Sequence, residues 1–221
     1  PKTAAVALVL LATLLISVAA AVIVQLLKGY TNLELGKYLL WYVLPISFDV
    51  TLLAVLAVFV QALSPNKYVG WGIMVLYVIL QIVASSIGLE HNLYVYGQSP
   101  QVPLSDMNSG ERYFEGAWWF RLYWGAIAML LLVGAHLLWR RGTETRLTPR
   151  LKRAPARLWG APGAIVIVSL VVAIASGAFI FYNTNILNDY RTAEDNERFM
   201  ADYEKKFLAY EKLGHPVISD V

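Results

Sequence analysis

The sequence has no cysteine and few charges: of 221 residues, 15% are charged and 58% are hydrophobic. Without cysteine there is no disulfide, no thiolate nucleophile and no cysteine-based metal site. A soluble domain carries roughly a quarter charged residues, so the scarcity of charge points to a chain that lives in a bilayer. No glycine-rich phosphate loop occurs, so the chain hydrolyses no nucleotide by itself, and the zinc-peptidase pattern H-E-x-x-H is absent. The net charge of +3 is concentrated rather than spread, which speaks for topology and against a nucleic-acid partner.

What is present in abundance is long apolar runs. Residues 3–27 carry no charge between Lys2 and Lys28, enough to cross about 30 Å of hydrocarbon at roughly 1.5 Å per residue. An aromatic stretch, LLWYV, is expected at the interface before Pro45 redirects the chain into a second span at residues 44–63. The turn Ser64-Pro65-Asn66-Lys67 returns the chain into a third span at 69–89. Further spans follow at 117–139 and 164–182, the fourth opened by Trp118, Trp119, Phe120, Tyr123 and Trp124, from which Arg121 is expected to snorkel outward. The expectation is an all-α membrane protein with about five transmembrane helices and a C-terminal amphipathic helix outside the membrane.

Orientation follows from residues 140–157. This segment holds Arg140, Arg141, Arg146, Arg150, Lys152, Arg153 and Arg157 against one acid, Glu144, and short loops with that bias stay cytoplasmic. The basic loop at 140–163 is therefore expected inside. The polar loop at 88–116, with Glu90, His91 and Asp106, and everything after residue 182 are expected outside. Thr192 reads as an N-cap with acids behind it, and Phe199, Tyr203, Phe207 and Tyr210 give an aromatic face to a helix running to about residue 213. Gly214 closes it, and residues 214–221 read as a linker toward a further domain, with Pro216-Val217-Ile218 opening a strand. The start at Pro1, without methionine, likewise reads as a cut from a longer protein.

Within the spans, Asp49 supports two readings: a substrate-path or ion-coupling site, or a carboxylate near the headgroups. Gln61 and Gln81 are expected to hydrogen-bond between helices, and Ser85, Ser86, Ser169 and Ser176 to pack helices closely. His136 reads as a packed or interfacial residue. Glu90 and His91 emerge together from the third span, and the preferred reading is a polar cap that fixes the long loop rather than a metal site.

At GLEHNLYVYG (residues 88–97), LSDMN (104–108) and SPNKYVGW (64–71) the chain resembles a bacterial family of fusion proteins. These join an ABC-2 type transporter permease to an M1 family zinc aminopeptidase, and the resemblance runs from about Tyr30 to the end. It implies a multi-pass protein of the bacterial inner membrane, an ATPase subunit carrying ATP on the cytoplasmic side, and a homo- or hetero-dimeric assembly. It also implies a peptidase, with its zinc, beyond the last span. No zinc ligand carries over onto this chain, and a usual six-helix ABC-2 half requires at least one more span ahead of Pro1. The competing expectation is a membrane anchor that presents the peptidase without transport; an intramembrane enzyme using Asp49 ranks last.

Overall fold

The computed structural model describes residues 2–103, 111–139 and 147–210, and among them every regular element is helical. Among the described residues four helices are long and apolar enough to cross a membrane: Ala4–Leu27, Leu35–Leu63, Tyr113–Leu138 and Ala161–Ile186. We label the helices α1 (Lys2–Leu27), α2 (Leu35–Leu63), α3 (Lys67–Val83), α4 (Glu111–Leu138), α5 (Leu147–Arg153), α6 (Ala161–Phe181) and α7 (Ala193–Phe207).

The expected break before Pro45 does not occur. Helix α2 is continuous from Leu35 because Tyr38–Val43 forms a π turn in which the Leu44 N–H bonds the Leu39 carbonyl, five residues back. Proline lacks an N–H, and its ring crowds the carbonyl four residues earlier. Widening the turn just ahead of Pro45 moves that carbonyl aside, so the helix passes through. LLWYV is thus helical, and Asp49 lies at the middle of a 29-residue helix rather than near its start.

The third expected span also needs revision. Helix α3 starts at its Asn66 cap, whose side chain accepts from the Tyr68 and Val69 amides, and ends after 17 residues. A single 3₁₀ turn, Ser85–Ile87, follows, and Gly88 adopts the left-handed conformation (φ 83°) that only glycine adopts at no steric cost. The segment at 88–116 divides in three: residues 88–103 form an irregular loop, 104–110, with Asp106, lie outside the described residues, and Glu111 onward is already α4.

Helix α4 is the centre of the bundle, with α2 along one side and α6 along the other. Close approach is set by small residues. A Cβ on Gly125 would come 3.1 Å from Phe48, one on Gly134 3.0 Å from Phe59, and one on Gly177 3.0 Å from Tyr123. On α6 the buried residues Ser169, Ala173, Ser176 and Ile180 recur at spacings of four, three and four. This is the small-residue stripe by which helices associate in lipid, where apolar burial alone gives no preference for a neighbouring helix. The central cluster is Leu52, Val55, Trp124 and Ala128. Helix α1 leans mainly on α2, with a Ser17–Tyr42 hydroxyl pair at 3.0 Å between them.

Residues 88–103 do not stand clear of the bundle. Val95 is buried, the Tyr96 hydroxyl donates to the Leu52 carbonyl at 3.0 Å, and the Tyr96 ring meets Trp124 edge to face at 5.3 Å. Its own backbone carbonyls are satisfied by side chains of the helices: Trp124 Nε1 donates to Asn92 at 3.2 Å, and Tyr77 and Gln81 donate to Tyr96. Irregular backbone among apolar helices is stable only with such partners.

Candidate functional site

Two charges meet between α2 and α4. Arg121 Nε donates to Asp49 Oδ1 at 3.0 Å and Nη2 to Oδ2 at 2.9 Å, a bidentate fork. The Arg121 side chain is 7% exposed and that of Asp49 33% exposed, so the cation is the deeper partner. Trp118, one turn before Arg121, places its ring 5.1 Å from the guanidinium carbon, while Arg121 Nη1 is buried with no hydrogen-bond partner. Arg121 therefore does not snorkel. An outward reach would leave Asp49 unpaired in an apolar surround, which costs about 2.5 to 3.5 kcal/mol at a helix centre on insertion scales. Neither reading of Asp49 from the sequence includes this partner. The signal was in the sequence: Asp49 is the lone acid of the Leu35–Leu63 run, and Arg121 the lone arginine within 113–138.

Gln61 and Gln81 do not join this pair. Gln61 Nε2 donates to the Lys67 carbonyl at 3.2 Å, tying the end of α2 to the start of α3. Gln81 Nε2 donates to the Tyr77 hydroxyl at 2.7 Å and to the Tyr96 carbonyl at 3.3 Å, so it serves the inserted loop instead of a neighbouring helix.

Glu90 and His91 form a second constellation, which joins the loop after α3 to the segment between α6 and α7. Glu90 Oε2 accepts from the Ala193 amide at 2.7 Å, the first turn of α7, where Thr192 and Asp195 form a capping box. A carboxylate there meets otherwise unsatisfied N–H groups and the positive end of the helix dipole. Asp195, hydrogen-bonded by Thr192, is held below the usual carboxylate range. His91 is buried, and its Nδ1 accepts from the Leu93 amide at 3.1 Å. In the neutral ring Nε2 then carries the proton and donates to Thr184 Oγ1 at 3.2 Å. The Tyr190 ring lies 4.8 Å away. Burial pushes the His91 pKa below its ordinary value, opposed by a hydrogen bond with the Asn185 side chain. The polar cap expected here thus secures α7 as well as the loop.

Of the basic segment, Arg140, Arg141 and Arg146 lie outside the described residues. Arg150 faces the bundle rather than the aqueous surface: it is 8% exposed, and its Nη1 donates to the Ala62 and Leu138 carbonyls, both at 2.7 Å. One guanidinium thereby caps the C-terminal ends of α2 and α4, where last-turn carbonyls lack partners and a cation suits the dipole. Arg157 Nη1 reaches the Leu137 carbonyl at 3.4 Å. Lys152 and Arg153 are exposed, as is His136 at the end of α4.

Among the described residues no three of His, Cys, Asp and Glu come together as a metal site. Comparison of the chain with family models, curated proteins and solved structures finds no match.

Proposed function

We propose that this chain is the membrane-spanning part of an ABC-2 type permease of the bacterial inner membrane, joined in the intact protein to an extracytoplasmic M1 zinc aminopeptidase. The Asp49–Arg121 pair is the observation that carries the reading. Ionisable residues inside spans are costly, and they face bundle interiors where substrates or ions pass. Transport here is conformational. An ATPase subunit on the cytoplasmic side, near the exposed Lys152 and Arg153, cycles with ATP and drives the helices between inward and outward arrangements. The zinc and its ligands belong to the joined domain, and peptide hydrolysis is assigned there.

A second reading, an anchor that presents the peptidase without transport, draws support from the Glu90 and His91 contacts, which fasten the segment leading to α7. The two readings separate experimentally. A permease co-purifies with a nucleotide-binding subunit and stimulates its ATPase, whereas an anchor does neither. Asp49→Asn abolishes export under the first reading and leaves peptidase activity intact under both. Sidedness is tested by labelling with an impermeant thiol reagent on intact cells: Gln101→Cys reacts and Lys152→Cys does not. The reverse pattern overturns the exported peptidase.

A further inference from the structure

Helix α7 carries its aromatic residues on one side. Phe199, Tyr203 and Phe207 line that side and Tyr210, in the 3₁₀ turn that follows, continues it; each is between 42% and 59% exposed. The rings touch in series, Tyr203 on Phe207 at 4.5 Å and Phe207 on Tyr210 at 6.1 Å. Two cations sit at the rim, the Arg191 guanidinium carbon 4.6 Å from the centre of the Phe199 ring and Lys206 Nζ 5.7 Å from that of Phe207. At about 100° per residue, Glu194, Arg198 and Lys205 fall on the opposite side. The height of the helix is set at its start. His91 holds Thr184, which lies within the apolar helix Ala161–Ile186, while its neighbour Glu90 holds the Ala193 amide. Adjacent Cα atoms are about 3.8 Å apart, so the first turn of α7 is drawn down beside the end of that apolar helix. Ile186 and Leu187 there are 63% and 60% exposed.

We infer that α7 lies flat in the headgroup zone of the bilayer from which α6 emerges, with its aromatic side turned into the lipid. For a helix that starts at this height, the bilayer is the nearest apolar medium. Tyrosine joins an apolar ring to a hydroxyl, the combination that settles at a membrane interface. Arg191 and Lys206, at the rim, reach lipid phosphates while the rings beside them sink to the acyl boundary. The opposite, charged side stays in water. Over residues 193–210 acids outnumber bases five to three, so apolar burial rather than net charge holds the helix down, and a zwitterionic surface suffices. The inference rests on the membrane reading and is independent of transport.

The full chain has no native cysteine, so single spin labels can be placed on it in phosphatidylcholine vesicles and their collisions with oxygen and with a water-soluble nickel chelate compared. Labels at Asn196→Cys and Met200→Cys, on the aromatic side, are expected to favour oxygen and to lie about 5 to 10 Å below the phosphates. Labels at Arg198→Cys and Lys205→Cys are expected to favour the chelate severalfold. Adding Tyr203→Ser and Phe207→Ser, both at exposed positions, is expected to return the Asn196 label to the chelate. Four labels that all favour the chelate overturn the inference, as α7 then stands in water. Labels at 196 and 200 screened from both reagents overturn it too, because protein, a second copy or a joined domain, then covers the rings. An Asn196 label still embedded in the double serine variant overturns the role of the rings. A label at Ile16→Cys, on the exposed side of α1, separates the premises: preference for the chelate there overturns the membrane reading itself.

Discussion

The guanidinium of Arg121 and the carboxylate of Asp49 meet edge to edge across the α2–α4 contact, with both hydrogen bonds near 3 Å (3.0 and 2.9 Å). Pairing of this kind is worth less than its Coulomb attraction suggests, because both ions lose water. Its removal on one side is another matter. Arg121→Leu is expected to lower stability by about 3 kcal/mol, the lower end for breaking a buried pair, since Asp49 is only partly buried by the protein. The double variant Asp49→Leu, Arg121→Leu is expected to recover most of that loss. Unfolding of the three detergent-purified proteins measures the difference, and a double variant as unstable as the single one refutes the account.

Arg150 binds two helix ends at once. Arg150→Ala is expected to cost about 2 kcal/mol, one charged hydrogen-bonding group and two carbonyls left bare. Arg153→Ala, at an exposed position of the same helix, is expected to stay within about 0.5 kcal/mol. Parallel thermal denaturation of the two variants provides the check.

At the other end, Glu90→Gln keeps the shape of the side chain but removes its charge from the start of α7. The expected loss is about 0.5 to 1 kcal/mol of local stability, and Thr192→Ala, which breaks the capping box, is expected to cost about 1 kcal/mol. Hydrogen exchange at residues 193–198 reads both, and protection there should fall while that of α4 stays unchanged.

The His91 contacts carry a pH dependence whose sign follows from burial. Because the folded pKa is depressed below the unfolded value near 6.5, the unfolded chain binds more protons in that range. The stability of this contact is therefore complete above about pH 6.5 and is lost as pH falls through the folded value. Exchange protection of residues 184–190 is expected to drop on acidification, and His91→Gln is expected to flatten the profile. Protection that rises on acidification refutes the buried neutral ring.

Much of the helical frame is legible in the chain because long apolar runs carry their own length and polar flanks. The run of α1 is of this kind, while α7 is marked instead by its Thr192 cap. Two features escape a linear reading for physical reasons. A proline signals a break only where the backbone cannot widen, and the π turn ahead of Pro45 supplies the width. A polar loop signals exposure only when nothing nearby can bond it, and Tyr77, Gln81 and Trp124 lie far from residues 92–96 in sequence. The partner of Asp49 falls between these cases. Its position 72 residues away is invisible to local patterns, yet the solitary opposite charge in another apolar run is a usable sign.

Asp49 and Ala62 are 13 positions apart on one helix, about 20 Å along its axis. Helices α2 and α4 are bolted together at both heights, by Arg121 above and Arg150 below. Beams fixed at two points cannot swivel against each other, so this couple behaves as a single strut. Any opening along the bundle then falls to the seams bordering α1, α3 and α6, and those are the places to look for moving parts.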